Sequence, residues 1–147
     1  MNARFDFYKA NPEVRAAMLK LEEFIAGSGL DKRLYEFIKL RASQINGCSY
    51  CIDSHGADLI KMGESVQRLL LLPVWHEVTI YSEEERAVLA LTEAVTKISE
   101  AGVPDDVYEQ VRKHFDERQF MALIMAINTI NSWNRIGIST RLLPAAR

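Results

Sequence analysis

Apolar residues recur at three- and four-residue spacing along nearly the whole chain, the period of a helix that buries one face. Val14, Ala17, Met18, Leu21, Phe24 and Ile25 set the first run, behind Asn11-Pro12-Glu13: a cap residue, proline at the first helical position, then an acid. Gly27 and Gly29 close it. A second helix is predicted over 31–45, capped by Asp31, with Leu34, Ile38, Ala42 and Ile45 on one face and Asn46-Gly47 as its stop. A third begins near Cys48, runs to about Met62 and is closed by Gly63. A short fourth starts at Glu64 and ends at Leu72-Pro73. Ser82 and Glu85 have capping-box spacing and open a fifth, carrying Val88, Leu91, Val95 and Ile98. Gly102-Val103-Pro104 separates it from a sixth, carrying Val107, Val111 and Phe115. The seventh, over about 117–136, is apolar on most of its circumference, as in a helix central to a core or a subunit interface. Residues 74–81 are rich in β-formers, but a lone strand has nothing to pair with, so an extended connection is expected there. The pattern predicts an all-α fold of six to seven helices, with residues 1–147 as one domain.

Composition agrees and narrows the class. A chain of 147 residues and 16.8 kDa buries roughly two thirds of its unfolded surface on folding. It therefore needs no disulfide scaffold, and 48% apolar against 26% charged residues excludes a disordered chain. Net charge is 18 − 20 = −2, so there is no basic field for nucleic acid or for an anionic membrane. The most apolar stretch, 120–127, is far short of the ~20 residues of a bilayer span. The first seven residues contain no apolar run of the signal-peptide kind. A cytoplasmic protein is expected, without membrane or nucleic-acid partners.

The chemistry concentrates in Cys48-Ser49-Tyr50-Cys51-Ile52-Asp53-Ser54-His55, which holds the chain's two cysteines. On a helix, Cys48, Cys51 and His55 form one stripe, with neighbours roughly 5–6 Å apart at Cβ. At a helix start, unpaired N–H groups and the dipole favour thiolate over thiol. His55, one turn beyond Cys51, is placed as a base toward it or as an acid toward a leaving group. If the chain folds back at Asn46-Gly47, Glu36 comes to face His55 and can orient the imidazole.

Glu36, eleven intervening residues, Cys48-x-x-Cys51, three residues and His55 resemble the motif of the alkylhydroperoxidase D-like (AhpD-like) proteins of the carboxymuconolactone decarboxylase superfamily. Asn134-Arg135 on the last helix extends the resemblance. It implies an all-helical fold and a thiol-dependent peroxidase that needs no cofactor. In such a protein Cys51 attacks a small hydroperoxide, Cys48 resolves the sulfenic acid into a disulfide, and His55 and Glu36 manage protons. A dithiol partner, in some members a lipoylated protein, restores the thiols. Trimers or hexamers are implied too. Well-known members carry histidine between the cysteines, where this chain has Tyr50, a phenol that donates a hydrogen bond but is a poor proton shuttle at neutral pH.

Other readings compete. A decarboxylase on the same fold would not need the cysteine pair, and a non-enzymatic redox sensor would use the disulfide to switch an interface. A metal module would recruit Glu36 beside the cysteines and His55. Glu36 could equally be ion-paired with Lys39 or Arg41. His76 and His114 are expected at the surface, and Trp75, Trp133, Met121 and Met125 in core or interface.

Overall fold

The computed structural model describes residues 1–147 and contains helices and loops without strands. In chain order the elements are α1 (Phe7–Ala10), α2 (Pro12–Ala26), α3 (Lys32–Asn46), α4 (Ser49–Lys61), α5 (Val66–Leu71), a 3-10 helix (Leu72–Glu77), α6 (Glu83–Thr96), α7 (Ile98–Ala101), α8 (Asp105–Arg112) and α9 (Glu117–Thr140).

Seven of the nine α-helices are those the apolar period predicts, so the all-α class holds while the count of six to seven is too low. The two additions are single turns, too short to show a period. Asp6 starts α1 by accepting from the backbone N–H of Tyr8 at 3.0 Å, and α7 follows a one-residue break at Lys97. Residues 74–81 also depart from expectation. The chain stays coiled through Glu77 and becomes extended only at Val78. Trp75 drives this: its ring is buried and its indole N–H reaches Glu93 at 2.8 Å. The stop at 136 is passed as well, since α9 continues to Thr140. Asn11 makes no side-chain cap, which leaves Pro12 to start α2. Asp31 caps α3 by accepting from Leu34 N–H at 2.9 Å, and the Ser82–Glu85 capping box is formed.

Helix α3 is central because it buries two faces. Leu34, Ile38 and Ala42 join Val88 and Leu91 of α6 and Leu123, Ile127 and Ile130 of α9. Phe37 and Leu40 join Leu59, Leu72, Trp75 and Leu89 in a second cluster. Each fully buried large side chain contributes roughly 1.5–3 kcal/mol. Met121 lies outside both clusters and is exposed, contrary to expectation.

The α3–α4 turn positions the cysteines. Gly47 adopts the left-handed conformation (φ 74°), which is strained for residues with a Cβ. Gly47 N–H and Cys48 N–H both donate to the Ser43 carbonyl, at 2.9 and 3.0 Å. The chain thereby reverses, and α4 lies back along α3. Buried asparagines tie this turn to α9. Asn46 donates to Asn131 Oδ1 at 2.9 Å and to Asn134 Oδ1 at 3.0 Å, and Asn134 donates to Ser43 Oγ at 2.9 Å.

Candidate active site

Cys48 is the N-cap of α4 and Cys51 lies in its first turn. The two sulfurs form a disulfide across a Cα separation of 5.3 Å. Both residues are nearly enclosed, Cys48 at 1% and Cys51 at 5% exposure, so the Cys51 side is the more open one. The pair abuts α9 at Gly137. Both cysteines thus sit at the N-terminus of α4, the helix end at which negative charge on a reduced sulfur is favoured.

His55 follows Cys51 by one turn, and Glu36 approaches from α3 as the reversal at Gly47 requires. Nδ1 of His55 lies 2.9 Å from Glu36 Oε2. An ionised carboxylate only accepts, so Nδ1 carries the proton and Nε2 is the imidazole's other, basic nitrogen. Glu36 Oε1 meets Lys39 Nζ at 2.6 Å. Burial works to raise the Glu36 carboxyl, but hydrogen bonds from His55 and Lys39 and their charges outweigh it and hold the group below the ordinary glutamate value. Glu36 thus contacts His55 and is ion-paired with Lys39 at once, while Arg41 pairs with Glu93 instead.

Cys51 and His55 line one cleft of about 160 Å³. Its walls are mostly apolar: Phe7, Tyr8, Tyr50, Trp133, Ile136 and Leu142. Tyr50, half exposed, lines this cleft. Trp133 was expected in core or interface; it packs against the core and also walls the cleft. His76 and His114 are exposed and remote from this wall.

Several lining groups escaped the sequence reading. Glu22 of α2 presents a carboxylate that accepts from Trp133 Nε1 at 3.1 Å and from Tyr35 Oη at 2.9 Å. Burial, then the Glu22 charge, push the Tyr35 phenol well above its usual range. A signal for Glu22 did exist: it stands four residues after Met18 and three before Ile25, the buried positions of α2, so an acid occupies a core-facing register. Phe7 and Tyr8 arrive with α1, which is held by Arg4 N–H donating to the Thr140 carbonyl at 2.9 Å. The Arg147 guanidinium grips Asp53 of the motif helix at 2.6 and 2.9 Å.

Glu36, His55 and Asp58 bring one donor atom each within 4.8 Å. The Lys39 ammonium on Glu36 already supplies the positive charge a metal would bring, and the cysteines stand apart from this trio. A carboxylate holding Nδ1 of an imidazole can orient the ring and support a proton at Nε2.

A sequence profile described as the carboxymuconolactone decarboxylase family matches residues 12–94, more than half of the chain and the whole of the Glu36–His55 motif. The chain belongs to the carboxymuconolactone decarboxylase family. Within it the likeness is to AhpD-like members. The uncharacterized protein YdfG of Bacillus subtilis is 45% identical over 139 residues, 95% of each chain. The alkyl hydroperoxide reductase AhpD of Coxiella burnetii is 51% identical over 41 residues, which is 28% of this chain and 23% of that one. A solved structure from Agrobacterium tumefaciens, of a protein of unknown function that carries the AhpD name, superposes with a TM-score of 0.96 at 42% identity, covering 99% of this chain and 100% of the other. The carboxymuconolactone decarboxylase fold thus accounts for the helical hairpin that presents the cysteine pair. No helix is long and apolar enough to cross a membrane.

Proposed function

We propose that this protein is a thiol-dependent peroxidase that reduces organic hydroperoxides through Cys48 and Cys51. The carrying observation is the joint placement of Cys51 and His55 in one apolar cleft, with His55 Nδ1 held by Glu36 at 2.9 Å. In the reduced protein His55 takes the Cys51 proton, and the thiolate attacks the terminal oxygen of the hydroperoxide. The O–O bond breaks, Cys51 becomes a sulfenic acid, and the leaving alkoxide takes the proton from His55 to become an alcohol. The Cys48 sulfur then attacks Cys51 Sγ, the S–O bond breaks, and the hydroxide takes up the Cys48 proton and leaves as water. The product is the disulfide. An external dithiol, of the kind a lipoylated protein supplies, returns both thiols by exchange. Glu36 orients His55 and supports its protonated form. Tyr50 donates a hydrogen bond at the cleft mouth rather than relaying protons.

Supporting features are chemical. A three-residue disulfide closes too small a loop to add much stability, so its use is redox chemistry. The walls offer apolar contact to an alkyl or aryl group, which favours organic peroxides over hydrogen peroxide. A reducing compartment, the cytoplasm, suits a disulfide that must be reopened each cycle. The chain exposes 8637 Å², against roughly 7,600 Å² for a monomer of this mass, an excess that favours association with further copies, as in the trimer or hexamer the resemblance implies.

The test is a thiol count before and after one equivalent of cumene hydroperoxide. The expected result is rapid loss of both thiols in the parent, no rapid reaction in Cys51→Ser, and a trapped sulfenic acid in Cys48→Ser. Two thiols that survive the peroxide would overturn the proposal.

A further inference from the structure

We infer that Lys39 is a positioning residue that shares the charge of Glu36 and so weakens the hold of that carboxylate on a proton at His55; its catalytic consequence rests on the peroxidase reading above. Lys39 is not an ordinary helix-surface lysine. Its side chain is only 12% exposed, and Nζ lies 2.6 Å from Glu36 Oε1. The same ammonium stands 4.0 Å from the centroid of the Tyr35 ring. Tyr35 is fixed in turn by its hydroxyl on Glu22. An exposed i,i+3 pair is ordinarily loose and worth little. This one is enclosed, and it engages the one carboxylate oxygen that His55 leaves free.

The electrostatic consequence has a definite sign. A carboxylate facing a single histidine stabilises the imidazolium and raises its proton affinity. Glu36 faces two cations when His55 is protonated, and the fixed one divides its attraction. Replacing Lys39 by a neutral residue is therefore expected to strengthen the hold of Glu36 on a proton at His55. That matters for the first step, in which the base must be neutral to take the Cys51 proton. Other groups around His55 push the opposite way. Asp58 on its own helix holds Oδ2 3.9 Å from Nδ1, and Glu22 of α2 lines the same cleft. Tyr50 shares the cleft from the start of α4, and the α9 residues there, Trp133, Ile136 and Gly137, carry no charge. Lys32 and Lys61 line the space behind the relay rather than pairing with Glu36. Lys39 is the cation inside the relay.

Lys39 can be changed without filling the catalytic cleft, which it does not line. It lines a second cavity of about 420 Å³ together with Glu36, Asp58 and Lys61.

The experiment compares the parent with Lys39→Met, Lys39→Gln and Lys39→Arg. The His55 imidazole is titrated by ¹⁵N NMR in the oxidised protein, its resonance assigned by loss in His55→Gln. The midpoint should rise by about half a pH unit or more in both neutral variants and stay near the parent in Lys39→Arg. In the Glu36→Gln background, Lys39→Met should add little, because the link is already cut. The acid limb of peroxide consumption should move up with the midpoint. A neutral variant that folds with an unmoved or lowered midpoint overturns the inference. So does a Lys39→Arg midpoint that rises as far as that of Lys39→Met, since packing rather than charge would then be responsible. The titration needs no turnover. Loss of the peroxidase reading would show as surviving thiols in the parent, whereas loss of this inference would show as an unmoved His55.

Discussion

Gly137 of α9 presents bare backbone to the disulfide: a methyl on its Cα would stand 3.3 Å from Cys48 Sγ and 3.9 Å from Cys51 Sγ. Glycine inside a helix costs about 1 kcal/mol relative to alanine, so a buried one implies a steric reason. Opening the disulfide takes two sulfurs from bonding distance to van der Waals separation, and Cys48 is enclosed. A methyl at 137 leaves less room for two thiols than for one bond. Gly137→Ala should therefore favour the disulfide. Overpacking costs of about 1–3 kcal/mol correspond to a shift of roughly five-fold or more in the dithiothreitol equilibrium. An unshifted equilibrium would mean that the sulfurs find space elsewhere.

The proposed peroxidase cycle predicts a graded series. Cys51→Ser removes the nucleophile and should abolish peroxide reduction. His55→Ala removes the proton acceptor and should slow it by about 10²–10⁴-fold. Glu36→Gln keeps a hydrogen-bond acceptor for Nδ1 but loses the charge, so a smaller loss, on the order of ten-fold, is expected. Stopped-flow thiol oxidation ranks the three. Equal rates in Glu36→Gln and parent would remove the orienting role.

These contacts show what the chain discloses and what it withholds. The Asp31 cap, the Gly47 reversal and the Ser82–Glu85 box are local, made by residues within a few positions of each other, and each was legible. The Glu36–His55 contact was legible because one hairpin determines it. Glu22 to Trp133 spans 111 residues, and nothing in helical period says which distant ring an acid will meet. The same holds for Trp133: an aromatic on an apolar face reads as core, and only the arrival of α1 and Leu142 makes part of its surroundings a cleft. The helical turn over residues 74–77 was missed because the Trp75–Glu93 bond overrides local β-propensity.

Tyr81 predicts the alkaline edge of stability. It is buried beside Phe37 and donates its hydroxyl proton to the Arg68 carbonyl. Burial pushes the phenol up, the Arg68 guanidinium over its ring opposes this, and Glu85 and Glu64 add to the rise; the result is about 12. An unfolded tyrosine ionises near pH 10. Above about pH 10 the unfolded chain loses a proton that the folded chain keeps. Stability is thus fully present below pH 10 and declines as pH rises toward about 12, by about 2 kcal/mol from this group. Urea midpoints at about pH 8 and about pH 11 should converge in Tyr81→Phe relative to the parent. The raised Tyr35 leaves part of the slope in place. An unchanged slope in the variant would assign the whole alkaline loss elsewhere.

Asn134 is fully buried and serves both sides of the cysteine turn, donating to Ser43 Oγ and accepting from Asn46. Ser43 in turn supplies the carbonyl that receives the N–H groups of Gly47 and Cys48. Asn134→Leu strands the Ser43 hydroxyl's acceptor side and one Asn46 bond in an apolar setting. A buried group left without its partner costs about 1–3 kcal/mol, so a loss of that size is expected in urea denaturation. The turn should loosen as well, because its fastening to α9 would rest on Asn131 alone. Cys48 would then meet Cys51 less often, and the sulfenic acid formed on Cys51 should persist longer before the disulfide closes. A dimedone-type trap added after one equivalent of peroxide reads that lifetime directly. Greater trapping in Asn134→Leu than in the parent, with the first thiol lost at an unchanged rate, is the predicted signature. Equal trapping would reduce the asparagine network to a stabilising contact with no part in presenting Cys48.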